Sequence, residues 1–214
     1  MRARSSLFAA AFCAALVAGP CLAQQTAGKF EGGVAWGRAF RGTFARGSND
    51  EFDREVQADT AILSGVRLAY NTSDRLSIEL LAERYDTLFV ETAEGGLFPS
   101  QPRAGSLQMR FIEVGPRWAL ARGRFVPYAG FGVGLAVLDP DVPEHPEVRD
   151  STRFSTHLDF GVKAYAFPWL GLRIDVRPRF IYLGARRLGE DSGSFDSGRW
   201  FKNIDGDAGL FLAF

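Results

Sequence analysis

Apolar and polar residues alternate with a period of two along most of the chain after Lys29. In the stretch 170–182, for example, Leu172, Ile174 and Val176 lie on one face and charged residues lie on the other. This is the period of a β-strand, whose successive side chains point to opposite faces. No competing helical period is found in the eight stretches with this pattern, which are residues 29–40, 58–70, 75–85, 106–120, 124–137, 152–166, 170–182 and 200–214.

The connections between these stretches alternate in length. The long polar connections are residues 41–57, 86–105, 138–151 and 184–199, and the short ones are 71–74, 121–123 and 167–169. An antiparallel outer-membrane barrel has long loops at one end and short turns at the other. The pattern therefore predicts an all-β fold, an eight-stranded antiparallel up-and-down transmembrane β-barrel.

Alternation alone does not decide whether the apolar face meets lipid or packs inside a soluble barrel. Two features favour lipid. Aromatic residues stand near strand ends, as at Phe40 and Trp200, where a membrane interface would place them. Glycines at 130, 132 and 134 suit the narrow interior of an eight-stranded barrel. A soluble periplasmic lipocalin-like barrel, with the two faces exchanged, is the alternative.

The N-terminal segment has the features of a secretory signal peptide. Arg2 and Arg4 precede an apolar stretch at 7–18, and Cys21-Leu22-Ala23 offers a small-residue cleavage pattern. A lipoprotein signal acylated at Cys21 is disfavoured by the preceding proline. We expect residues 1–23 to be removed and residues 24–214 to form the barrel domain, which contains no cysteine and is therefore not stabilised by disulfides.

Composition limits the possible functions. The 214 residues suit one or at most two domains, and 25 basic residues balance 25 acidic ones. A nucleic-acid-binding protein would normally show a basic excess, so nucleic acid is not expected as a partner. No apolar run beyond the first two dozen residues is long enough for a membrane-spanning helix.

Many charged residues occupy the face that a membrane barrel turns inward. In a narrow lumen opposite charges must pair, because an unpaired buried charge costs several kcal/mol. A closed, salt-bridged interior is favoured, and a narrow channel or small-ligand carrier is the alternative. The predicted lumen network comprises Glu79, Glu83, Glu113, Arg117, His157, Asp159, Lys163, Arg173, Asp175, Arg177, Arg179, Asp205 and Asp207.

Ser155, His157 and Asp159 share one face of a predicted strand, which raises the possibility of nucleophilic catalysis. Residues two apart on a strand are about 6.6 Å apart along it, whereas a working triad needs contacts of about 3 Å. His145 lies in an acidic, proline-rich loop whose spacing does not match a calcium site. We therefore expect no catalytic residues, no cofactor and no metal site.

The fourth stretch contains a change of phase. Leu107, Met109 and Phe111 are out of step with the apolar residues Ile112 and Val114. A β-bulge, which inserts one extra residue into a strand, would produce such a change. We therefore expect a bulge in this strand.

Three segments resemble the small OmpA/OmpX/OmpW-like outer-membrane barrels: residues 126–134 (VPYAGFGVG), the hairpin 161–177, and the ending GLFLAF at 209–214. The last resembles the C-terminal assembly signal of outer-membrane proteins, carried here by Leu210, Leu212 and Phe214. The resemblance implies location in the outer membrane, contact with its lipid and lipopolysaccharide, and insertion by the barrel assembly machinery after escort by periplasmic chaperones. Its motifs are specific to the architecture rather than to one activity, and we expect a monomer with a structural or surface-interaction role.

Overall fold

A computed structural model describes residues 25–40, 42–49, 52–93, 103–141, 150–183, 195–196 and 200–214. The predicted signal peptide and His145 lie outside the described residues. The strands are β1 Phe30–Phe40, β2 Gly42–Asn49, β3 Phe52–Ala58, β4 Ala61–Asn71, β5 Leu76–Ala93, β6 Arg103–Ala119, β7 Phe125–Asp141, β8 Ser151–Phe167, β9 Leu170–Tyr182, β10 Phe195–Asp196 and β11 Trp200–Ala213.

Eight of these strands form a closed antiparallel barrel. Strand β1 pairs with both β4 and β11, and β5 pairs with β6, so that the ring runs β1, β4, β5, β6, β7, β8, β9, β11 and back to β1. Phe30 and Phe214 complete the closure by exchanging two main-chain hydrogen bonds of 2.9 Å. The predicted eight-stranded fold is confirmed. Within the described part of the chain, no helix is long and apolar enough to cross a membrane.

The long polar connection predicted at 41–57 is not a simple loop, because this region contains the paired strands β2 and β3. Strand β3 also pairs with the outer end of β5, and β10 pairs with β2, so the sheet continues beyond the barrel. Main-chain hydrogen bonds define these strands. The sequence there is mostly polar, so hydrophobic alternation could not detect them.

The two faces of the barrel have opposite chemistry. On β4, Val66 is 56% exposed whereas its neighbour Arg67 is buried. The same contrast between an apolar outward residue and a buried inward one recurs along β9, where Ile174 is 64% exposed and Asp175 is buried. A soluble lipocalin-like barrel would carry apolar residues inside and charged residues outside. The described strands carry large apolar residues outside and a layer of buried charged residues inside, as a barrel surrounded by lipid requires.

The bulge predicted at the change of phase in the fourth stretch is wrong, although β6 does shift register against β5 at 103–105, just before that stretch. Leu107, Met109 and Phe111 point inward in the same phase as Glu113, and β6 keeps one register with β7 from Leu107 to Val114. The change of phase therefore has another cause: the inward face of β6 is apolar in its outer half and charged further along.

Aromatic side chains form contacts at both ends of the outer surface. At the end with the short turns, the Phe30 and Tyr70 rings lie 4.9 Å apart. At the opposite end, Tyr182 and Trp200 lie 5.1 Å apart. Amphipathic rings at both borders of an apolar band are typical of membrane barrels.

Candidate functional site

The interior of the barrel contains a charged middle layer between two apolar clusters. Along β6, the inward residues run from the apolar Phe111 through Glu113 and Arg117 to Ala119. The outer cluster, on the side of the long connections, comprises Ala39, Ala58, Ala61, Leu63, Tyr85, Leu107, Met109, Phe111, Ala136, Leu138, Ile181, Leu183 and Phe201. The inner cluster comprises Ala119, Val126, Tyr165 and Phe211.

The structure places all thirteen predicted lumen residues in this middle layer, and every one of them is buried. Sequence reasoning missed two further charged members, Glu31 on β1 and Arg67 on β4. On its strand, each of them alternates in step with small residues that point inward. This alternation in the sequence could have identified both as lumen residues. Among the described residues, the interior then holds eight buried carboxylates, five arginines, one lysine and one histidine.

Arg179 on β9 joins three carboxylates from three different strands. Its guanidinium lies 2.6 Å from Asp205, 2.6 Å from Glu83 and 2.9 Å from Glu113. The same group stacks 4.0 Å above the ring of Phe111, at the border of the outer apolar cluster. The planar, multiply donating guanidinium suits this arrangement, which the single ammonium of a lysine could not reproduce.

Arg177 and Arg67 extend the network across the lumen. Arg177 lies 2.5 Å from Glu83 and 2.9 Å from Asp207. Arg67 donates to Asp207 at 2.6 Å and also pairs with Asp175. Since Arg67 is on β4 and its partners are on β9 and β11, these bonds tie separate parts of the barrel wall together through the interior.

A second group of charges lies closer to the short turns. Arg117 pairs with Glu79 and Asp159, and Arg173 pairs with the same Glu79. Arg173 also donates to the hydroxyl of Tyr128 at 2.6 Å. Tyr128 faces inward beside Gly130 on β7, and its hydroxyl occupies the space where Gly161 on β8 lacks a side chain, so the small residues there provide room for its ring.

Glu31 and Lys163 form the last ion pair before the inner apolar cluster, with Nζ and Oε2 2.5 Å apart. The other carboxylate oxygen of Glu31 accepts from Asn71 at 3.1 Å and from the hydroxyl of Tyr165 at 3.0 Å. Both oxygens of this carboxylate are therefore satisfied. Lys163 and Tyr165 belong to β8 whereas Glu31 belongs to β1, so this pair also spans the lumen.

Ser155 and His157 contact a carboxylate rather than each other. The Ser155 hydroxyl donates to Oε1 of Glu113 at 2.5 Å, and Nδ1 of His157 lies 2.9 Å from Oε2 of the same group. Asp159 pairs with Arg117. The geometry joins Ser155 and His157 to the charged network instead of arranging a nucleophile beside a base.

The C-terminal residues Leu210, Leu212 and Phe214 all point outward and are about half exposed or more. They alternate with inward residues on β11, which pairs with β1 to close the barrel. The structure thus places the predicted assembly signal on the lipid-facing side of the closing strand.

The described residues border a small space beside the charged network and a larger space away from it. One, lined in part by Glu31, Arg67, Glu79 and Arg173, has a volume of about 20 Å³, which suits about one water molecule. The other, about 270 Å³, lies at the corner between β3 and β4 beside β5, and no member of the charged network lines it. No group of three or more potential metal ligands suited to an ion occurs in the described ranges.

Comparison with known proteins identifies the fold. No protein-family model and no curated protein matches the sequence. The outer membrane protein OprG from Pseudomonas aeruginosa is 14% identical, with a TM-score of 0.57 over 91% of this chain and 99% of that one. Neisserial surface protein A is 14% identical, with a TM-score of 0.55 over 88% and 98%. The outer membrane protein AlkL is 13% identical, with a TM-score of 0.51 over 90% and 92%.

The fold is therefore that of the small eight-stranded outer-membrane barrels, as the sequence resemblance implied. A barrel in a membrane must present apolar side chains to lipid and keep its charged side chains away from it. The outer face and the enclosed charges of this barrel meet that requirement. Fold and surface chemistry together describe a membrane-spanning barrel of the outer-membrane type.

Proposed function

We propose that the protein is a structural or surface-interaction barrel of the outer membrane, with a lumen closed by its charged network. The observation that carries this proposal is the cross-lumen pairing of Arg67, Arg177 and Arg179 with carboxylates on strands that are not their neighbours. Each such pair occupies the space through which an ion would have to pass. The apolar clusters above and below the charged layer add two further barriers.

A surface-interaction role is supported by the sheet that continues beyond the barrel. Strands β2 and β3 and the outer end of β5 pair with one another on the side of the long connections. This side faces the exterior in barrels with short periplasmic turns. The proposed partners are lipid and lipopolysaccharide in the membrane, and the assembly machinery and periplasmic chaperones during insertion. The proposed state is a monomer without catalytic residues.

Planar-bilayer recording tests whether the lumen is closed. We expect the purified protein to give no discrete conductance steps. The double variant Arg179→Ala/Asp205→Ala removes a pair whose atoms are 2.6 Å apart and leaves the net charge of the interior unchanged. Because it opens space within the charged layer, it should increase ion leakage.

The matched control is Arg84→Ala/Asp86→Ala, which removes an ion pair of 3.2 Å on the outer surface, where both side chains are 58% exposed. This control should behave like the unmodified protein. Regular conductance steps in the unmodified protein would instead favour the narrow channel. Equal leakage from the two double variants would contradict the proposal that the network closes the lumen.

A further inference from the structure

The end of the barrel with the short turns is strongly basic. Lys29, just before β1, Arg75 in the β4–β5 turn and Arg122 in the β6–β7 turn are exposed. Arg124 follows in the same turn, and its Nε donates to the main-chain oxygen of Tyr165 at 3.2 Å. Among the described residues of this end, the only acidic side chain outside the lumen is Asp74. The side chains here therefore carry an excess of three positive charges.

These basic residues belong to neighbouring segments. The main-chain oxygen of Lys29 accepts from the Asn71 amide at 2.9 Å, and that of Arg75 accepts from the Ala119 amide at 2.7 Å. Arg122 lies 3.4 Å from Asp74, in a pair whose side chains are 53% and 40% exposed. We call the three exposed residues Lys29, Arg75 and Arg122 the basic arc. Since exposed ion pairs are weak, Asp74 does not remove the positive potential of the arc.

The opposite end of the barrel has no such excess among its described side chains. Five basic residues are balanced there by five acidic ones. They are Arg38, Arg84, Arg110, Arg153 and Lys202 against Asp59, Asp86, Asp139, Asp141 and Asp150. Among the described side chains, the positive charge is therefore a property of one border of the membrane band.

Large apolar and aromatic side chains lie next to the basic arc. Leu120 is 65% exposed, Trp169 is 56% exposed, and the rings of Trp169 and Phe167 stack at 5.6 Å. Aromatic rings of this kind occupy the headgroup level of a bilayer. Long basic side chains at the same level extend from the apolar region toward the headgroups. The arc thus lies where lipid phosphates are found.

We propose that the basic arc binds the headgroups of anionic phospholipids in the leaflet that surrounds the short turns. This rests on the proposed location of the barrel in a membrane. Charge complementarity with the phosphate and continuity with the apolar band support this occupant. Attraction of a basic side chain to an anionic membrane surface changes affinity by about fivefold per residue. Salt weakens it, because the charges are exposed.

Quenching of tryptophan fluorescence by brominated lipids tests this proposal. The variant Trp36→Phe/Trp200→Phe retains Trp118 and Trp169, both at the end with the short turns. It is reconstituted into vesicles that contain both phosphatidylcholine and phosphatidylglycerol. In each sample one of these two lipids has acyl chains brominated near the glycerol, and the quenching by each brominated lipid is compared. We expect phosphatidylglycerol to be preferred by about fivefold or more at low salt, and this preference to fall toward one in 1 M sodium chloride.

Two matched triple variants identify the residues responsible. The preference for phosphatidylglycerol should fall toward a ratio of one in Lys29→Gln/Arg75→Gln/Arg122→Gln. It should stay unchanged in Arg38→Gln/Arg84→Gln/Lys202→Gln. Equal binding of the two lipids by the parent, a preference that salt does not alter, or an equal loss in both triple variants would overturn the proposal. Retention on purified peptidoglycan without a lipid preference would overturn it in favour of a cell-wall polymer.

The heat-dependent change in gel mobility that marks a folded barrel is measured on every sample. A protein that fails to insert into any vesicle would contradict the membrane location itself. A protein that inserts but shows no lipid preference would contradict only the basic arc. If the first triple variant does not fold, the salt titration of the parent still decides the question.

Discussion

Replacing Arg179 by methionine should destabilise the barrel strongly. Methionine retains much of the side-chain length but removes the guanidinium that lies within 2.9 Å of Glu83, Glu113 and Asp205. Glu83 keeps Arg177, and Glu113 keeps Ser155. Asp205 keeps only the Asn203 amide, at 3.0 Å, among its described hydrogen bonds.

The loss of Arg179 therefore leaves the carboxylate of Asp205 buried without a cation. Removing one partner of a buried ion pair lowers the free energy of unfolding by about 3–5 kcal/mol. The matched variant Arg84→Met breaks an exposed pair with Asp86 and should cost less than about 1 kcal/mol. The difference arises from burial, since both variants make the same chemical replacement.

Equilibrium unfolding in urea, followed by tryptophan fluorescence and by gel mobility of the folded band, measures both free energies. The double variant Arg179→Met/Asp205→Asn should recover part of the loss, because it also removes the unpaired charge. If Arg179→Met cost no more than Arg84→Met, or if the second substitution recovered nothing, the reasoning from buried charge would be refuted.

Two further predictions concern packing and assembly. A β-carbon at Gly132 would lie 2.7 Å from Nε2 of His157, so Gly132→Ala should lower the free energy of unfolding by about 1–3 kcal/mol. Gly32→Ala meets its nearest atom at 3.7 Å and should be tolerated in the same urea titration, and equal costs would contradict this reasoning. Phe214→Ala should reduce the fraction of folded protein in isolated outer membranes, as measured by gel mobility, and an unchanged fraction would contradict the assembly-signal role.

The strands of the barrel could be predicted because lipid outside and a packed lumen inside impose opposite chemistry on alternate residues. Ile174 and Asp175 illustrate this, since each side chain lies on the face that its polarity requires. Strands β2 and β3 lie outside that constraint. They pair through the main chain beyond the barrel, and their sequence carries no apolar stripe to reveal them.

The lumen network was predictable as a set of residues but not as a set of bonds. The inward phase of β9 identifies Arg173, Arg177 and Arg179 from sequence alone. Which carboxylate an inward arginine contacts depends on strands that are far apart in the chain. The pair of Arg67 on β4 with Asp207 on β11 is an example. The change of phase at Phe111 was interpreted as a bulge for a related reason: the apolar residues that Phe111 packs with are inward residues on other strands, which the sequence of β6 does not contain.

The separation of a lipid-facing surface from a sealed interior is tested most directly by magnetisation transfer from lipid acyl chains to methyl groups of the unmodified protein in bilayers. Isoleucine and leucine occur on both faces, so chemically identical probes can be compared. We expect strong transfer to Ile62 and Ile174, which are 73% and 64% exposed, and none to the fully buried Leu63 and Ile181. Transfer to Leu63 and Ile181 with none to Ile62 and Ile174 would contradict the account.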